Sequence, residues 1–152
     1  MSKPNAVIFD LDGCLADVTE YRHHVVKSHP NFSGKKNFDA FHSESIDAPR
    51  IENICHLAKS LSNSNAILIV TARKNRWMFE TLEWLDSNEI PYLEVYMRPD
   101  SDGRKAEDVK LDILNNIKSR YNVILAVDDS PYNVQMFIKN GIPATLVPGW
   151  QD

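Results

Sequence analysis

Hydrophobic residues are concentrated along the chain in five short runs: Ala6 to Phe9 (AVIF), Ala66 to Val70 (AILIV), Tyr92 to Tyr96 (YLEVY), Val123 to Val127 (VILAV) and Ala144 to Val147 (ATLV). Their β-branched and aromatic content predicts β-strands. The first, second and fourth runs are apolar at every position, as parallel strands covered on both faces require, so these three are expected to be central. Between the runs the apolar positions recur at helical spacing. Pro49 to Leu61 carries Ile51, Ile54, Leu57, Ala58 and Leu61 in one stripe, and Asn75 to Asp86 carries Met78, Leu82 and Leu85. Glu107 to Ser119 places Val109, Ile113, Leu114 and Ile117 on one face, and Pro131 to Lys139 is closed by Gly141 after Asn140.

Strands alternating with helices predict an α/β fold: a doubly wound, Rossmann-like parallel sheet of five strands. In such sheets ligands bind at the carboxyl ends of the strands, beside the point where strand order reverses. The one long interruption, residues 17–47, holds His23, His24, His29, His42, Pro30, Gly34 and the Lys35-Lys36 pair. It is expected to form a small helical cap inserted after strand one, within a single domain spanning 1–152.

Composition narrows the partners. A chain of 152 residues with 43% hydrophobic side chains can bury a real core. Seventeen Lys and Arg against twenty-one Asp and Glu give a net charge of -4, which excludes a broad basic, duplex-binding surface. No apolar run approaches the ~20 residues of a membrane span, so no membrane contact and a cytoplasmic location are expected. Cys14 and Cys55, with no CxxC pattern, support neither a disulfide framework nor a structural zinc site.

The candidate chemistry lies at the strand ends. Strand one runs into Asp10-Leu11-Asp12-Gly13 and strand four into Asp128-Asp129. Four carboxylates are therefore expected to converge, and hard oxygen ligands without His or Cys suit Mg²⁺. Taken singly, either pair could be mere turn residues. Strand two ends in Thr71-Ala72-Arg73, a hydroxyl and a guanidinium suited to an anion, or alternatively a helix cap. The segment from Arg98 to Lys110 offers Arg98, Arg104, Lys105 and Lys110, of which one is expected to be functional and the others solvated charge.

FDLDGCLAD, IVTAR, a Lys before the fourth strand and AVDDS resemble, in order, the four motifs of the haloacid dehalogenase (HAD) superfamily of phosphohydrolases, from Phe9 to Ser130. MRPDSDGRKAEDVKLDIL and LAVDDSPYNVQMFIKNGI are further similar to the phosphatase domain of bacteriophage polynucleotide kinase, as is the Arg two residues beyond the Thr of motif two. The resemblance implies that Asp10 is a nucleophile forming an aspartyl-phosphate and that Asp12 is general acid, then base. Residues i and i+2 of an extended segment point the same way, so both could address one phosphorus. It implies Mg²⁺ held by Asp10, the Asp12 backbone carbonyl and Asp128, with Asp129 assisting, and phosphoryl oxygens held by Thr71 and Lys110. Lys105 is the rival; Lys110 is preferred because it stands five residues after a basic pair, as in the similar phosphatases. Those phosphatases tend to carry Asp where this chain has Ala106. Arg73 and Arg22 match basic residues that contact substrate.

Plainer readings cover the other residues. Cys14 is expected to be packing, the four histidines of the insert surface groups, and Trp77 with Trp84, seven apart, a packed helical stripe; Trp150 suggests nothing. No G-x-x-x-x-G-K-[ST] occurs and the first strand begins close to Met1, so no kinase activity is expected. The expected function is a Mg²⁺-dependent phosphomonoesterase acting on polynucleotide 3′-phosphate ends. A 5′-(deoxy)nucleotidase-like or small-metabolite phosphatase is the alternative. A catalytically silent Mg²⁺- or phosphate-binding module is the non-enzyme alternative, against which intact Asp10 and Asp12 argue.

Overall fold

The computed structural model of the chain describes residues 2–149. Five parallel strands, β1 (Asn5–Phe9), β2 (Ala66–Lys74), β3 (Glu94–Arg98), β4 (Asn122–Asp128) and β5 (Ala144–Leu146), form one sheet in the order β3-β2-β1-β4-β5. The three uniformly apolar runs are the three inner strands. Period-two alternation splits them between two cores. Val7, Phe9, Ile67 and Ile69 face one side, with Ile54 and Ala58 of α2 (Glu52–Leu61) and Trp84 and Leu85 of α3 (Met78–Ser87). Ala6, Ile8, Leu68 and Val70 face the other, with Leu114 and Ile117 of α4 (Ala106–Lys118) and Met136 and Phe137 of α5 (Pro131–Lys139). A fifth helix of seven residues, α1 in chain order (Phe38–Glu44), belongs to the insert. Among the described residues no helix is long and apolar enough to cross a membrane.

Several boundaries differ from the sequence reading, each for a tertiary reason. The third strand begins at Glu94 rather than Tyr92, because Tyr92 N–H turns back to Ile90 O at 2.9 Å before pairing begins. It then continues to Arg98, since β2 itself runs on through Thr71, Ala72 and Arg73 to pair Lys74 with Arg98. The helix expected from Pro49 starts at Glu52, because Pro49 and Ile51 are tied to the chain after β1: Asp17 N–H donates to Pro49 O and Ile51 N–H to Leu15 O, both at 2.7 Å. Those two bonds close the root of the insert. The helix expected from Asn75 begins with a 3-10 turn, Asn75–Trp77. Gly141 takes φ 81°, the left-handed conformation expected of a residue ending a helix.

The insert has little α-helix. A 3-10 turn (Thr19–His24), α1 and a second 3-10 turn (Ser45–Asp47) are its regular pieces. His23, His24 and His29 are partly exposed, but His42 is not the surface group expected: it is 8% exposed, against Phe41 and Trp77. Trp84 is buried and its Nε1–H donates to Ala48 O at 2.8 Å, fastening α3 to the end of the insert, while Trp77 is half-buried. Cys14 is fully buried with its thiol 3.6 Å from Val127 O, and burial pushes it well above the ordinary thiol range, as a packing residue requires. Trp150 lies outside the described residues.

Candidate active site

Register alone brings the acidic motifs together. β1 lies between β2 and β4, pairing Phe9 with Ile69 on one side and Val127 on the other. The next residues, Asp10 and Asp128, therefore emerge side by side at the carboxyl edge, with Thr71 just beyond the β2 pairing. Strand order reverses here, between β1 and β4.

Asp10, Asp128 and Asp129 are 7%, 1% and 3% exposed, and one carboxylate oxygen from each lies within 4.8 Å of the others. Lys110 reaches up from α4, 1% exposed, and its ammonium donates to Asp10 Oδ1 at 2.8 Å and Asp128 Oδ2 at 2.7 Å. Burial disfavours its charge, but the two facing carboxylates outweigh that and raise its pKa. Lys105, the rival, is exposed at the start of α4. The missing acid at Ala106 leaves Lys110 anchored all the same, because Asp10 and Asp128 hold it directly.

Three carboxylates against one ammonium leave an excess of two negative charges when all are ionised. Asp129 carries that imbalance: its Oδ2 is buried without a partner, and burial, then the Asp10 carboxylate, drive its pKa far upward. Asp10 is raised as well, by burial and then by Asp128, with Lys110 opposing. A buried carboxylate oxygen with no donor, beside two more carboxylates, fits a hard divalent cation such as Mg²⁺.

The fourth carboxylate departs from expectation. Asp12 does not join the acidic group; its side chain turns to Arg73, whose Nε and Nη2 donate to Oδ2 and Oδ1 at 3.0 and 2.5 Å. Arg73 is 2% exposed, and further bonds run from Nη1 to Thr81 Oγ1 at 3.3 Å and from Nη2 to Ser45 Oγ at 3.2 Å. It was expected at the substrate and is found behind Asp12. Burial pushes the Asp12 carboxyl up, but the guanidinium prevails and holds it below the usual carboxylate range. Thr71 is 1% exposed, its Oγ1 accepting the Arg73 N–H at 3.2 Å. Arg22, in the insert, donates from Nη2 to Gly149 O at 2.6 Å, where Gly149 packs against the Gly13 turn.

Three supporting residues escaped the sequence reading. Asn133 on α5 donates from Nδ2 to both oxygens of Asp128 at 3.2 Å, and Asp128 Oδ1 also accepts from Ser130 N at 2.9 Å. The visible signal was a helix start directly after AVDD: the Ser130 side chain caps α5 by accepting from Asn133 N, aiming that residue back at the strand end. Ser45 and Thr81, the hydroxyls on Arg73, had no such signal, since Ser45 lies twenty-eight residues from Arg73 and Thr81 reaches it from α3.

Comparison with known proteins identifies the family and the fold. The model of the polynucleotide kinase PNKP phosphatase domain family matches residues 4–148. A protein of Autographa californica nuclear polyhedrosis virus described as a bifunctional polynucleotide kinase/RNA ligase is 29% identical over 144 residues, which is 94% of this chain and 19% of that protein. A solved structure of a Pnkp1/Rnl/Hen1 complex superposes with a TM-score of 0.78 at 24% identity, over 97% of this chain and 47% of the other. A haloacid dehalogenase-like hydrolase of Streptococcus pneumoniae superposes with a TM-score of 0.66 at 17% identity, over 96% and 85% of the two chains. The chain thus spans less than half the length of the polynucleotide kinase relatives it matches. It belongs to the polynucleotide kinase PNKP phosphatase domain family, and is a phosphatase-class hydrolase with the haloacid dehalogenase fold.

Proposed function

We propose that this chain is a Mg²⁺-dependent phosphomonoesterase that removes phosphate from polynucleotide 3′ ends through an aspartyl-phosphate on Asp10. The observation that carries the reading is the buried group of Asp10, Asp128 and Asp129 with Lys110 upon it, in a member of this phosphatase family. Asp10, Asp128, Asp129 and the Asp12 backbone carbonyl would hold Mg²⁺, which supplies charge neutralisation between an anionic nucleophile and an anionic phosphate. A carboxylate oxygen of Asp10 attacks phosphorus as the bond to the substrate oxygen breaks, and Asp12, having taken up a proton from solvent, delivers it to the leaving alkoxide. Asp12, again a carboxylate, then takes a proton from the water that hydrolyses the aspartyl-phosphate. Lys110 and Thr71 hold the phosphoryl oxygens as charge redistributes. Arg73 is a positioning residue in this scheme, fixing the Asp12 carboxylate with a bidentate grip. Arg22 stays a substrate contact at the edge of the site.

In this reading residues 17–47 are a small cap within one domain spanning 1–152. So slight a cover suits a polynucleotide end and also admits small substrates, which the following comparison separates. Phosphate release is to be compared on a 3′-phosphorylated oligonucleotide, a deoxynucleoside monophosphate and an aryl phosphate, each with Mg²⁺ and with chelator. The oligonucleotide is expected to be preferred, with activity lost in chelator and in Asp10→Asn. Release that survives Asp10→Asn would sink the mechanism, and preference for the mononucleotide would replace the substrate with a nucleotide.

A further inference from the structure

The insert holds a second group of ligand-type side chains, away from the acidic site. His23 and His24 close the Thr19–His24 turn and Glu44 closes α1; one ligand atom from each lies within 4.8 Å of the other two. Sequence spacing hides this group, because Glu44 is twenty residues beyond His24. The chain brings them together through Asn37, whose N–H donates to His24 O at 2.8 Å and whose side chain caps α1 by accepting from Ala40 N.

We propose that His23, His24 and Glu44 form a divalent-cation site for an ion of the Zn²⁺ class, distinct in position and in chemistry from the carboxylate site. Two imidazoles and one carboxylate are a borderline donor set that Mg²⁺ does not favour and Zn²⁺ or Co²⁺ does. The rings are prepared for it. His23 Nδ1 lies 3.0 Å from Glu20 O, and an N–H donated to that carbonyl leaves the Nε2 lone pair as the ligand, the usual outer support of a metal-bound histidine. His24 Nε2 faces Glu44 Oε2 at 2.5 Å, a pair that a cation would bridge with loss of the shared proton. His29 is excluded as a ligand despite its ring lying 6.0 Å from that of His23. Its Nδ1 accepts from Asn31 N–H, which leaves the proton of the neutral ring on Nε2. Water would complete the coordination.

Occupied, the site would fasten the Thr19–His24 turn to α1 across the otherwise irregular insert. Glu44 directly precedes Ser45, whose hydroxyl accepts from Arg73, so the brace lies one residue from the support of Asp12. The test uses the full chain, excess Mg²⁺ to occupy the acidic site, and Co²⁺ as a visible-absorbing probe. Co²⁺ is expected to bind one to one with a ligand-field band that Zn²⁺ displaces, and Zn²⁺ at hundredfold excess over its Kd should raise Tm by about 5–10 °C. His24→Gln and Glu44→Gln should each weaken binding at least about tenfold, while Asp10→Asn leaves it unchanged. Melts of the variants in chelator, matching the parent, establish that they fold; should His24→Gln fail, the half-exposed Glu44→Gln decides. Absence of the band, its persistence in Glu44→Gln, or its loss in Asp10→Asn would overturn the proposal.

Discussion

Arg73 grips both carboxylate oxygens of Asp12 from inside the protein, at 3.0 and 2.5 Å, and two further N–H groups donate to Thr81 and Ser45. A grip of that kind decides the protonation of its partner. With Asp12 held below its ordinary value, the carboxylate persists into moderately acidic solution, and the step that needs it as a base persists with it. In Arg73→Gln the guanidinium is gone and burial, the opposing influence, is left to act. The acid limb of the kcat profile should move to higher pH, with kcat at neutral pH falling roughly 10–100-fold. Arg73→Lys keeps the charge without the fork and should shift the limb less. A limb that stays in place in Arg73→Gln would remove Arg73 from the control of Asp12.

Asp129 predicts how the metal-free protein behaves. Its pKa is raised in the folded state, so its contribution is fullest below the unfolded value of ~3.9 and is lost as pH rises through the folded one. At neutral pH without metal, Asp129 is therefore a cost to folding. Asp129→Asn should raise Tm in chelator by about 3–6 °C, equivalent to roughly 1–2 kcal/mol, and should shrink the further rise on adding Mg²⁺. Thermal melts of both proteins in chelator and in Mg²⁺ measure this. A variant less stable than its parent in chelator would show that Asp129 is satisfied without a cation.

What the sequence made legible was whatever sits at a strand end. Asp10, Asp128 and Lys110 meet because parallel pairing and one helix crossing place their motifs at one edge, and the uniformly apolar runs already marked the strands responsible. Asp12 was read as addressing the phosphorus beside Asp10 and Arg73 as a separate substrate contact; the structure pairs the two with each other. An i, i+2 argument gives the side of the strand and says nothing of a buried guanidinium arriving from β2. Ser45 and Thr81 were invisible because their hydroxyls matter only through Arg73. The insert was least legible, for it has little periodic pattern and is organised by single bonds such as Trp84 to Ala48 O.

His42 gives the insert a pH dependence of its own. It is 8% exposed with Nδ1 unpartnered, and burial lowers its pKa from 6.5 to about 4, with Asp12 opposing. A depressed histidine leaves stability intact above the unfolded value of 6.5, and that stability drains as pH falls towards 4, since the unfolded chain takes up the proton first. The loss amounts to about 3 kcal/mol across that window. Denaturant unfolding at pH 7 and pH 4.5 should show it, and His42→Gln, though less stable at pH 7, should lose less between the two. Equal losses in both proteins would assign the acid sensitivity elsewhere.

Gly149 should be irreplaceable for a steric reason. The chain after β5 crosses the turn that follows Asp10 so closely that a Cβ built on Gly149 would lie 1.3 Å from Gly13 O, while Gly149 O accepts from Arg22. Backbone stands on both sides of the clash, so no side-chain rotation relieves it. Gly149→Ala must therefore push the segment after β5 off the Gly13 turn, moving the carbonyl to which Arg22 Nη2 donates. Because that segment lies outside the paired strands, the sheet can stay folded, and the change in Tm should be no more than a few degrees. The larger effect should fall on KM, raised several-fold by the displacement of Arg22, with Arg22→Gln giving a similar rise and the double variant little more than either. Additive effects of the two substitutions would separate Arg22 from the Gly149 contact.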